Sequence, residues 1–181
     1  YLSCLELYET LGNQRGIANT LNRLGDVACL MGDLDLAEQY ALRSLNLHRE
    51  LGDRYGEAFA LTAVGQVHHA RQDYPQARVY YYQALALMKE IGSKKGMIFA
   101  LIYLGRVSVD TQEFASAREY LTEALSLSSM NNAVSLGLDC MAEIARLLML
   151  AGKEKEFGAI LAGYVTNHAA ATQLARASMQ A

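Results

Sequence analysis

Apolar and small residues recur along this chain at helical spacing, in blocks separated by short polar breaks. In Tyr55–Ala70 the positions Ala58, Leu61, Val64, Gly65 and His68 follow an i, i+3, i+4, i+7 pattern, which predicts a helix with one buried face. The pair Gln72–Asp73 interrupts the pattern. Asp73 then has the side chain to cap a second helix, and Pro75 falls in its first turn, where a missing N–H does no harm. Ala77, Tyr80, Tyr81, Ala84, Leu85 and Met88 form the apolar stripe of that second helix. Gly92 ends it, with Lys89 near the negative end of the helix dipole. Two such helices bury one face against each other and leave another face open.

The open face explains why the unit is repeated. Asp53–Gly92 lies on Asn13–Gly52 when moved back by 40 residues, and on Ser93–Asn132 when moved forward by 40, without a gap. The anchors are Gly16, Gly56 and Gly96; Gly25, Gly65 and Gly105; Ala37, Ala77 and Ala117; Tyr40, Tyr80 and Tyr120; and Leu45, Leu85 and Leu125. Hairpins are expected over Gly16–Met31 with Leu34–Leu51, Tyr55–Arg71 with Tyr74–Ile91, and Met97–Thr111 with Phe114–Ser128. A worn fourth unit pairs Val134–Leu150 with Lys153–His168, where Phe157 replaces the packing alanine. The tail is 169–181. Tyr1–Leu11 matches the second helix of an earlier unit, so the chain is expected to be a fragment of a longer protein forming a single array. The short turns leave no linker. Glycine costs about 1 kcal/mol relative to alanine inside a helix. Three at one phase, Gly25, Gly65 and Gly105, therefore predict close approach of helix backbones.

Composition narrows the class. Of 181 residues, 52% are apolar and 19% charged, enough to bury a continuous core. No run approaches the ~20 apolar residues of a membrane span, and the amino-terminal stretch has no signal-peptide pattern. A net charge of −3 with scattered basic residues argues against direct nucleic-acid contact. Cys4, Cys29 and Cys140 are widely spaced in helical pattern and are expected to be buried free thiols in a reducing, cytoplasmic setting. His68 and His69 are the one histidine pair, but neighbours on a helix point about 100° apart and cannot chelate one metal together. No phosphate loop or nucleophile elbow is present, so neither enzymatic activity nor a cofactor or metal is expected.

The unit resembles the tetratricopeptide repeat. Its small–large code reads here as Leu61, Val64 and Gly65 in the first helix and Ala77, Tyr81 and Ala84 in the second. Two features depart from the usual form. The period is 40 residues rather than ~34, and the large aromatic late in the first helix is replaced by Ala28, His68 and Ser108. In this it is similar to the repeats of kinesin light chain and spindle-orientation adaptors. It is also similar to the C-terminal sensor arrays of bacterial signal-transduction ATPases and transcription regulators. The resemblance implies an all-α, right-handed superhelical solenoid of antiparallel helix hairpins.

It also implies that the first helices line a concave groove. Carried over by phase from the central glycine, the groove residues are Asn22, Arg23 and Asp26 in the first unit, and Phe59, Thr62, Gln66 and His69 in the second. They continue as Phe99, Ile102, Tyr103 and Arg106 in the third, and Glu143, Arg146 and Met149 in the fourth. An aromatic patch flanked by arginines has the composition of a peptide-binding hot spot. Two functions follow as expectations. The first is an interaction module within a larger signalling protein, holding a peptide, a protein segment or another domain of the same polypeptide. The second is a small-molecule or inducer sensor in such a regulator. Self-association is a third possibility, and no membrane contact is expected.

Overall fold

A left-handed backbone residue appears at every turn between the described helices, and it sets the even spacing of the helices between them. Gly12, Gly32, Gly52, Gln72, Gly92, Gln112 and Asn132 have positive φ, each 20 residues after the one before. The computed structural model describes residues 1–151. Among these lie eight helices: α1 (Leu2–Thr10), α2 (Gln14–Leu30), α3 (Leu34–Glu50), α4 (Arg54–Ala70), α5 (Tyr74–Glu90), α6 (Lys94–Asp110), α7 (Phe114–Met130) and α8 (Val134–Ala151). The six from α2 to α7 are each 17 residues long. The expected helix over Lys153–His168, Phe157 within it, and the tail from 169 lie outside the described residues.

Each turn closes by the same bonds. The N–H of Asp33, Asp53 and Asp73 donates to the carbonyl of Ala28, His48 and His68, five residues earlier. This satisfies carbonyls that the helix end would leave bare. The following helix is capped by the next side chain. Asn13, Asp33, Asp53 and Asp73 accept the N–H three residues on, and the Ser93 hydroxyl accepts that of Gly96. Glu113 makes no such cap. Its carboxylate instead lies 3.2 Å from the Thr111 hydroxyl.

The chain divides into two units, Tyr1–Gly96 and Met97 onward. In the first, α1 packs on α2, α2 on α3, α3 on α4, α4 on α5, and the first helices α2 and α4 on each other. Leu5, Ile17, Leu21 and Leu24 form one apolar cluster with Tyr8, Tyr40 and Leu47. Ala28, Ala37 and Val67 form the next, which joins one hairpin to its neighbour. In the second unit α7 packs on α8. Ile98, Leu101, Leu104, Val107, Leu121 and Ile144 are buried there.

The glycines inside the helices do two different jobs. Gly25 does mark a close backbone approach: a Cβ there would lie 3.4 Å from the Ala37 carbonyl oxygen and 3.6 Å from the Ala41 nitrogen. Gly65 and Gly105 instead leave room for a large side chain. A Cβ would come within 2.5 Å of the Tyr81 ring at Gly65, and within 2.6 Å of the Leu121 side chain at Gly105. The reading of backbone approach therefore holds at the first repeat alone. The residue at position 41, 81 or 121 decides the matter, being alanine in the first case and large in the others. Gly16, Gly56 and Gly96 similarly make way for Tyr8, His48 and Met88.

Candidate interaction surface

Helical spacing places Phe99, Tyr103 and Arg106 on one stripe of α6, one turn apart. All three are half-buried. Ile102, expected at the groove, is 4% exposed and belongs to the packed interior instead. The accessible part of this wall is therefore narrower than the phase argument implied.

The charged residues of α6 and α8 converge. Arg106 Nε donates to one Glu143 oxygen at 2.7 Å, and Arg146 Nε donates to the other at 2.9 Å. Arg146 also donates through Nη1 to Asp110 and through Nη2 to the Arg106 carbonyl at 3.3 Å. The Arg106 guanidinium lies over the Tyr103 ring, 5.3 Å from its centre. Glu143 is 9% exposed, and a carboxylate this buried requires the two cationic donors it has. Burial works against the Arg146 charge, but Asp110 and Glu143 outweigh it and push its pKa up. Two cations and two anions thus compensate each other, leaving Tyr103 and the outer edge of Arg106 at the surface. Of the three thiols expected to be buried, Cys140 is, while Cys29 is half-buried and Cys4, on the first helix, is exposed. Beside this network, Cys140 donates its thiol to the Leu121 carbonyl at 2.9 Å. Burial, then the nearby Glu143 and Asp139 charges, push that thiol up to about 12. The side chain of Met149 lies outside what is described.

The first unit has a more polar face on α2 and α4. Asn22 is half-buried, as are Asp26, Gln66 and His69, while Arg23 is exposed. Arg23 pairs with Asp26 at 3.4 Å. Burial raises the Asp26 carboxyl above its usual range, and Arg23 offsets part of that. Phe59 tilts against Tyr55 with ring centres 4.9 Å apart, and His69 meets Tyr74 edge-on at 5.5 Å. Thr62 is only 7% exposed, and its hydroxyl donates to the Ala58 carbonyl at 3.0 Å. Its polar group is therefore engaged with its own helix.

Two features escaped the sequence reading. Asp110 completes the arginine network from outside the predicted groove phases. A junction of Arg15, His48 and Asp53 ties α2, α3 and α4 together. A signal for the second was present: His48 precedes Asp53 as His68 precedes Asp73, by five residues across a turn. Among the described residues no group of three or more His, Cys, Asp or Glu side chains is placed to hold a metal, and no helix is long and apolar enough to cross a membrane.

These features define a class: an all-helical repeat built from antiparallel hairpins in which consecutive helices pack on one another. The family model described as tetratricopeptide repeat matches residues 16–90, which span the hairpins α2–α3 and α4–α5. No curated protein matches the chain. The family match and the helical architecture together support a repeat protein of the tetratricopeptide type. Repeats of this type generally mediate protein–protein interaction and are typically non-enzymatic.

Proposed function

We propose that this chain is an interaction module that holds a peptide or protein segment against its first helices, as a scaffold or regulatory part of a larger signalling protein. The observation carrying this reading is the stripe of Phe99, Tyr103 and Arg106 beside the compensated Arg106–Glu143–Arg146–Asp110 network. Aromatic and arginine side chains held in fixed geometry give contact area at low entropic cost, and such residues dominate binding hot spots. The network holds the guanidinium over Tyr103 before any partner arrives, so little ordering remains to be done on binding.

The test is a random peptide display library selected on the whole chain. Selected peptides are then measured against Phe99→Ala/Tyr103→Ala. Hot-spot truncations cost about 2 kcal/mol or more each, so affinity should fall at least roughly thirtyfold while the far-ultraviolet circular dichroism is unchanged. Peptides that bind parent and double variant equally would refute this surface.

A further inference from the structure

His48 occupies an unusual place. It is 1% exposed, and its ring fills the space over Gly56, where any Cβ would collide with it. Tyr8 fills the same space over Gly16, and Met88 over Gly96. Of these three occupants, His48 is the one whose ordinary pKa lies between pH 5 and 8.

Its polar neighbour is already busy. Asp53 caps α4 by accepting the Gly56 N–H on Oδ1 at 2.9 Å. Its other oxygen lies 3.3 Å from Arg15 Nε and 3.4 Å from His48 Nδ1. The His48 contact is within ion-pair distance, yet it lacks hydrogen-bond alignment, and Nδ1 makes no hydrogen bond. One oxygen therefore faces a guanidinium from α2 and an imidazole from α3, while its carboxylate holds the start of α4. The other charge acting on the ring is Glu57, which Arg49 engages at 3.0 Å and Arg54 at 3.8 Å.

We infer that Arg15, His48 and Asp53 form a proton-operated joint between the first two hairpins, closed while the imidazole is neutral and loosened when it is protonated. A proton on His48 places a charge on a buried ring, beside a carboxylate oxygen that Arg15 already holds. A charged ring in this slot is costly, and the cost is relieved when the ring leaves the space over Gly56, which opens the α3–α4 contact. Burial, the largest influence, holds the imidazole below its ordinary range; Asp53 and Glu57 pull it up, and Arg15 pushes it down. A histidine pKa lowered by folding contributes stability above its unfolded value, and that contribution is lost as pH falls through the folded value. The joint therefore loosens on acidification below about pH 6.5.

The repeat supplies the control. His48→Met installs the side chain that fills the corresponding space at Met88. Thermal melts of the whole chain at pH 7.5 and pH 5.0 are compared for parent and variant. The parent should lose more of its Tm on acidification, and the variant at most half as much. An NMR titration of His48 in the parent should give a midpoint below the ordinary histidine value, and Arg15→Gln should move it upward. An equal Tm loss in a folded His48→Met chain overturns the inference. So does a parent midpoint at or above about 6.5, which decides the matter alone if the variant does not fold.

Discussion

The contrast between Gly25 and Gly65 offers a test in which one substitution has different effects at two equivalent positions. Both glycines lie inside helices at the same phase of the repeat, so replacement by alanine brings the same gain in helix propensity, about 1 kcal/mol. At Gly25 the new methyl would sit 3.4–3.7 Å from Ala37, Ala41 and Tyr40, which is ordinary contact. Most of the propensity gain should survive. At Gly65 the methyl would lie 2.5 and 2.7 Å from two carbons of the Tyr81 ring. That ring is 0% exposed and cannot swing into solvent. Overpacking of this kind costs about 1–3 kcal/mol, so Gly65→Ala should be neutral to destabilising by about 2 kcal/mol. The two variants should differ by about 1–3 kcal/mol, or several degrees in Tm for a chain of this length. Urea titrations followed by circular dichroism measure the difference. Gly65→Leu should be worse than Gly65→Ala. Equal midpoints for Gly25→Ala and Gly65→Ala would show that Tyr81 does not limit the space at Gly65.

Other substitutions test the turns, the charge network and the core thiol. Gln72 adopts a φ of 61°, so Gln72→Gly should relieve left-handed strain and raise stability by about 0.5–1 kcal/mol, seen as a higher urea midpoint. Glu143→Ala removes an acceptor from both Arg106 and Arg146, and should cost about 1–3 kcal/mol by the same measurement. With its thiol pushed up to about 12, Cys140 should resist iodoacetamide at pH 8 while exposed Cys4 is alkylated. Peptide mass mapping distinguishes the two, and rapid labelling of Cys140 in the folded chain would contradict its burial.

The helices and their ends were legible because local chemistry dictates them. Gly32, Gly52 and Gly92 announce the left-handed turn residue, and Asp33, Asp53 and Asp73 announce the caps. Gln72, Gln112 and Asn132 adopt the same conformation without glycine, so an equal step of 20 residues was harder to see than the 40-residue repeat. The face of a helix was less legible than its existence. Thr62 and Ile102 lie at groove phases but are buried, because the width of a buried stripe depends on what packs beside it. The Glu143 network joins residues 37 and 36 positions apart, and only the approach of two first helices brings them into reach. The role of Gly65 was hidden for a related reason. It depends on the size of Tyr81 in the opposing helix rather than on anything beside the glycine.

The turns at 12, 32, 52, 72, 92, 112 and 132 give the chain something like a reading frame. Removing one residue from a helix would rotate the side chains before the gap by about 100° relative to those after it and to the turn that follows. Removing 20 would keep every turn intact but exchange the identities of first and second helices, sending core residues to the surface. Only a step of 40 restores both the turn and the face. Length changes in this chain should therefore be tolerated in whole hairpins, and almost nowhere in smaller amounts within the helices.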